Sequence, residues 1–201
     1  MRAFKFLKEN SYDIVKVFIN QIGITIFSLV LYFSISSFKS SNTDLYNKLM
    51  VAISAFALIF FFALLYTAAW DLGANDKIRI ESGKVNKRIY KGALITFCAN
   101  IINFLFAGIT LLTVACSFDG AMKAISGVCY TLYAFLNAMY NGVVRNGIML
   151  ITSSENPSPL YVAIAYFVAP LLPILASHIG YVFGMKNIKI FRTSPKKDQR
   201  K

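Results

Sequence analysis

Charge is scarce in this sequence. Of its 201 residues only 15% are Asp, Glu, Lys or Arg, against 57% hydrophobic, and the mean hydropathy is +0.58. Soluble domains carry roughly 25% charged residues, so too few remain here to solvate a globular surface. A water-soluble globule and a disordered chain are both excluded. The three cysteines, Cys98, Cys116 and Cys129, are an odd number without a CxxC pair, which excludes a cysteine-stapled secreted module. With a single histidine there is no His/Cys metal cluster and no nucleophile–base pair. No internal repeat is visible, so an inverted-repeat transporter has no support.

The charge that is present is lopsided, 21 Lys and Arg against 9 Asp and Glu, for a net +12. It is also absent from long windows. Uncharged stretches run over 17–38, 49–70, 92–118, 124–144 and 156–185, and each holds 21 or more residues. A helix needs about 20 residues to cross the hydrocarbon, and only helices satisfy their backbone groups there within one segment.

The cations decide how many windows span. If four span and 124–144 does not, the N-terminal segment, the 77–91 segment and the C-terminal tail lie on one side, with 17 cations against 4 (Lys39, Lys48, Lys123 and Arg145). Five spans would give 11 against 10. The positive-inside rule therefore selects four spans with both termini cytoplasmic. The expected fold is an all-α polytopic transmembrane bundle, a single domain with spans near 17–37, 49–70, 93–116 and 160–184, a cytoplasmic loop 71–92 and a cytoplasmic tail 185–201. The first window is longer than a signal-peptide core, which favours an uncleaved signal anchor.

In the fourth window Ile125, Val128, Leu132, Leu136, Met139 and Val143 recur at helical spacing, while Tyr130, Tyr133, Asn137 and Asn141 line another side. This reads as an amphipathic helix over about 124–144, lying on the outer interface or re-entering partway. The competing reading is a true span whose polar side faces other helices. In the 71–92 loop, Gly73, Asn75 and Asp76 break helical periodicity. The alternation Lys77-Ile78-Arg79-Ile80-Glu81 before Ser82-Gly83 fits a small hairpin, and a helix extended past Trp70 fits as well. Pro170 and Pro173 predict a kink in the last span, and Trp70 stands where an interfacial anchor belongs. Cys116 and Cys129 fall on the outer side, where a disulfide could form in an oxidising compartment.

The candidate functional residues are polar ones near the cytoplasmic half of the spans: Asn20, Gln21, Thr67, Asn100, Asn103, Ser177 and His178. They read either as a polar layer opening to the cytoplasm or as amides and an imidazole bonding neighbouring helices. Ala176, Gly180 and Gly184 form a small-residue ridge for helix packing. Asp71, Asn75 and Asp76 fail as a calcium loop for want of the sixth-position Gly and twelfth-position Glu. No cofactor or metal is implied. The partners expected are a bilayer with anionic inner-leaflet lipids, and a membrane-protein partner or a second copy of the chain. Nucleic acid would need a folded basic platform, which is missing.

The run Trp70-Asp71-Leu72-Gly73-Ala74-Asn75-Asp76, the pair Lys91-Gly92 and the closing Gly180-Tyr181-Val182-Phe183-Gly184 together resemble a family of small, uncharacterised polytopic membrane proteins of Gram-positive anaerobic bacteria. The resemblance implies a bacterial plasma membrane and lends no activity or ligand. The function expected is that of a non-enzymatic subunit or accessory component of a membrane complex. The alternative is a small oligomeric transporter built on the polar layer. An intramembrane enzyme lacks the catalytic inventory.

Overall fold

The computed structural model describes residues 2–152 and 158–188. The loop at Asn156-Pro157 and the tail cations from Lys189 onward lie outside the described residues. Eleven α-helices and one π-helical segment make up the described fold: α1 (Arg2–Glu9), α2 (Ser11–Ser34), α3 (Phe38–Ser41), α4 (Thr43–Glu81), α5 (Lys91–Ala99), α6 (Ile101–Ala115), α7 (Ala121–Leu136), α8 (Ala138–Asn141), the π segment Gly142–Asn146, α9 (Gly147–Thr152), α10 (Pro159–Val168) and α11 (Leu171–Met185). Three helical stretches, 11–34, 43–81 and 159–185, are long and apolar enough to cross a membrane, and a fourth is counted if α5 and α6, bent by 60°, make one span.

The helices are inverted relative to a soluble protein. On α2 the buried residues include Gln21 (2% exposed), Thr25 and Ser28 (0%), while Ile19 and Val30 are about 60% exposed. On α6 Asn103, Thr110 and Thr113 face inward, and Ile101, Leu105 and Leu112 face outward. A water-soluble fold buries the apolar stripe. Exposing it while hiding hydroxyls and amides suits a solvent that cannot hydrogen-bond, which is the interior of a bilayer.

The longest element, α4, has 39 residues and therefore runs about 58 Å at 1.5 Å per residue, against about 30 Å of hydrocarbon. Asn42 caps it, its side-chain oxygen accepting from Leu45 N at 3.0 Å. Its far end continues as helix through Glu81, so the hairpin reading of 77–85 fails. The connector without regular structure is only 82–90, and Gly83, at φ +72°, supplies the turn. Gly73 does not break the helix because its missing side chain is needed for packing.

Along α4 lies α11, running parallel to it. Gly180 meets Tyr66 and Ala69, Gly73 meets Tyr181 and Met185, and a Cβ on Gly184 would overlap the Trp70 carbonyl oxygen. Backbone thus approaches backbone, as small residues permit in membranes. Ala176, one turn before Gly180 on α11, is half-buried. Between α10 and α11 the helix is interrupted at Ala169 and Pro170, with Pro170 and Pro173 fully buried.

The segment 121–152 is not one amphipathic helix. It descends as α7 beside α6, breaks at Asn137, and turns back through α8, the π segment and α9 along the first part of α4. The turn is deep: Asn137, Ala138, Met139 and Tyr140 are all 2% exposed or less. On the return limb Asn146 Nδ2 donates to Asn47 Oδ1 at 2.8 Å in the second turn of α4. The apolar side (Ile125, Val128, Leu132) faces outward and the Tyr133/Asn137 side inward, so an interfacial placement with the polar side in water does not hold.

Glycine at the α4–α11 seam is required by backbone contact, whereas a Cβ added at Gly23 on α2 would meet nothing within 4 Å. Gly184→Leu is expected to lower stability by about 1–3 kcal/mol through overpacking, and Gly23→Ala to leave it unchanged or raise it by up to about 1 kcal/mol. Thermal unfolding of both variants in detergent tests this; equal melting temperatures would contradict the seam.

Candidate functional site

Three asparagines interrupt helices by the same local chemistry. Asn10, Asn100 and Asn137 leave helical dihedrals (φ −120°, −97° and −121°). Each donates its carboxamide N–H to the carbonyl four residues earlier: Phe6 O at 2.8 Å, Thr96 O at 2.9 Å and Tyr133 O at 3.2 Å. Asparagine competes with the backbone for such partners, so the break brings its own hydrogen bond.

The amides of two of these breaks join in one chain. Gln21 Nε2 donates to Asn137 Oδ1 at 2.7 Å, Asn137 Nδ2 to Asn103 Oδ1 at 3.0 Å, and Asn103 Nδ2 to Asn100 Oδ1 at 2.9 Å. The carbonyls freed past Asn137 are met by hydroxyls: Thr25 Oγ1 donates to Leu136 O at 2.7 Å, Tyr32 to Ala138 O at 3.0 Å, and Ser54 to Met139 O. Ser54 Oγ also accepts from Val143 N at 3.1 Å at the π segment. An unpaired backbone group in hydrocarbon costs several kcal/mol, so these hydroxyls make the deep turn tenable.

Of the sequence candidates, Gln21, Asn100 and Asn103 meet in this chain. Asn20 is only half-buried, and Thr67 is exposed, bonding back to Ala63 O and Leu64 O in its own helix. Ser177 donates to Gly92 O at 3.1 Å, and His178 stacks on Tyr90 with centroids 5.7 Å apart. Asn137, the hub, is not among those candidates because the sequence pattern of its helix points to the interface. Its signal is the recurrence of Asn inside uncharged windows, at 100, 103, 137 and 141.

Towards the start of α4 the bundle opens into a cavity of about 830 Å³ between α6, α7 and α10. Thr110, Thr113, Ser126 and Tyr130 give it hydroxyls, Val114, Phe118 and Val162 give it apolar wall, and Lys123 and Arg145 line it. Lys123 lies 3.6 Å from Asp119, whereas among the described residues no carboxylate is within ion-pair distance of Arg145. Beneath it, Tyr130 packs edge-on against Tyr166 at 5.8 Å, Tyr166 donates to Asn141 Oδ1 at 2.8 Å, and Tyr133 donates to Tyr166 O at 2.7 Å. Hydroxyl pairs at helical spacing, 110/113 and 126/130, are visible in the sequence, but their convergence needs the hairpin.

At the other end of α4, Asp76 is 2% exposed. It accepts from Lys91 Nζ at 2.7 Å and from the Tyr181 hydroxyl at 2.9 Å. With Gly73 and Gly92 packed on Tyr181, this joins α4, α5 and α11. The three short motifs of the sequence meet here. Trp70 Nε1 donates to Ile188 O at 2.7 Å, securing the residues just past α11. Among the described residues no cluster of three His, Cys, Asp or Glu exists to hold a metal, and all three cysteines are free. No protein-family model, no curated protein and no solved structure matches this chain.

Two sets of variants test these contacts. Asn137→Ala strands Gln21 and Asn103, and should cost about 1–3 kcal/mol, while Asn20→Ala and Thr67→Ala stay within about 0.5 kcal/mol. Asp76→Ala leaves Lys91 buried without its counter-charge and should cost about 3–5 kcal/mol. Adding Lys91→Ala should restore part of that loss. Unfolding midpoints of the four single variants and the double variant decide both, and a double variant less stable than Asp76→Ala would contradict the ion pair.

Proposed function

We propose that this chain is a non-enzymatic, multi-pass subunit of the plasma membrane that holds a small amphiphilic solute bearing an anionic group. The site is the cavity between α6, α7 and α10. In this reading α5 and α6 form one bent span, giving four, with both termini in the cytoplasm. The hairpin 121–152 enters from the outer side and returns to it, so the cavity faces outward and the basic connector inward.

One observation carries the reading, the cavity of about 830 Å³ with mixed hydroxyl and apolar walls and Arg145 free of a carboxylate among the described residues. Small-molecule sites are typically about 300–1,000 Å³, mostly apolar with a few polar groups. Broken helices meeting at depth, as at Asn100 and Asn137, are the usual surroundings of solute sites in membranes. An arginine with no carboxylate partner among the described residues, beside an apolar wall, favours a ligand with a carboxylate, sulfate or phosphate at one end.

A subunit is favoured over a self-sufficient transporter. The amides expected to open towards the cytoplasm bond one another instead. The void beside Ser177 on that side is about 30 Å³, room for a single water. In this reading, movement of a solute from the outer cavity through the membrane calls on another component.

The test uses a chain freed of its own thiols (Cys98→Ala, Cys116→Ser, Cys129→Ala) and given Gly127→Cys on the cavity wall. An anionic, membrane-impermeant methanethiosulfonate added to intact cells should modify this thiol faster than its cationic counterpart, and Arg145→Gln should remove the preference. Modification only after permeabilisation, or equal rates with both reagents, overturns the proposal.

A further inference from the structure

A second cavity, of about 400 Å³, lies at the opposite end of the molecule, between the last turns of α4, the connector 82–90 and the junction of α1 with α2. Its walls hold four cations, Arg79, Lys84, Arg88 and Lys91, against two carboxylates, Glu9 and Asp76. It is separate from the α6–α7–α10 cavity and owes nothing to the reading of that site. We propose that it is a binding site for a phosphate monoester group.

The wall is built rather than incidental. Asp76 and Lys91 are 3% and 12% exposed at their side chains and lie 2.7 Å apart, with the Tyr181 hydroxyl on the same carboxylate oxygen. That pairing neutralises the acid at the back of the cavity and fixes Lys91. The other cations form longer ion pairs or none. Arg79 stands 4.0 Å from Asp76 and Arg88 3.7 Å from Glu9, both beyond hydrogen-bond length. Lys84 has no ion pair among the described residues. The turn at Gly83 folds the connector back on α4, with Lys84 N donating to Arg79 O at 3.0 Å, so that Lys84, Arg88 and Arg79 line one cavity.

The excess is two positive charges, the complement of a fully ionised phosphate monoester. Guanidinium forks bond its oxygens in pairs, and a volume of this size admits the phosphate with a small organic body attached. The group can arrive on a lipid or in solution. The surroundings favour lipid: Phe4 and Leu7 on α1, Ile78 on α4, and Ile89 and Tyr90 on the connector are all exposed. These apolar side chains flank the basic walls at the end of the bundle where the membrane surface would lie.

Thermal unfolding of the full chain tests the proposal and separates the two sources. In one arm the protein is placed in phosphatidylcholine nanodiscs with or without phosphatidic acid, whose headgroup is a phosphate monoester, or phosphatidylglycerol, whose phosphate is a diester. In the other it stays in uncharged detergent with inorganic phosphate. Phosphatidic acid should raise the melting temperature more than phosphatidylglycerol. Lys84→Gln/Arg88→Gln should weaken that response about a hundredfold in ligand concentration, and Lys77→Gln/Lys87→Gln, which removes the same two charges outside the cavity, should keep it. A rise with inorganic phosphate alone, lost in the double variant, assigns the site to soluble phosphates and keeps the proposal. Equal shifts with both anionic lipids, equal shifts in all three proteins, or no shift in either arm overturns it.

Discussion

The hydrogen bonds of Asn137 hold the centre of this structure together. A chain that turns around inside a helix bundle exposes carbonyls and amides that no helix can pair, and lipid offers no substitute. Asn137 breaks α7 and bonds back to Tyr133 O while bonding forward to Asn103, and Gln21 bonds to it from α2. Around this hub Thr25, Tyr32 and Ser54 take up three loose ends at Leu136, Ala138 and Met139. The cavity beside α7 exists only because the hairpin enters the bundle, so the proposed solute site rests on a few amides and hydroxyls that never touch it.

Buried amides in a membrane protein are each worth little on average, about 0.6 kcal/mol. Their importance here lies in geometry. The donors pass in one direction from Gln21 to Asn137, Asn103, Asn100 and Thr96 O, which fixes the relative heights of α2, α5, α6 and the hairpin turn. Glycine fixes the lateral fit in a complementary way. Gly142 lets the π segment lie on the α4 backbone at Met50, as Gly184 lets α11 lie on it at Trp70.

The apolar windows of the sequence carry most of the helical architecture, because an uncharged run of 20 or more residues has few alternatives to a helix in lipid. The fate of polar residues is harder to read. Gln21, Asn100 and Asn103 can be placed at one depth from their positions in the spans, but the sequence does not say that Asn137 joins them, since that contact closes 116 residues from Gln21. The same applies to Gly73. Local rules treat it as a helix breaker, and only the approach of Tyr181 explains it as a packing position. Asp76 looks in isolation like half of a weak cation loop, and its true partners, Lys91 and Tyr181, are 15 and 105 residues away. Short-range patterns therefore locate the elements, and long-range pairing decides what the polar groups do.

The length of α4 has one further consequence. A single unbroken rod of 39 residues touches the re-entering hairpin through Ser54 near one end and carries Asp76 near the other. Helices bend little without a proline or an inserted side chain, and α4 contains neither. As a straight rod it holds Ser54 and Asp76 about 33 Å apart, 22 residues at 1.5 Å each, and α11 is seated along the same rod. The spacing between the two ends of the molecule is in this way set by one helix, with no ionisable side chain needed between them.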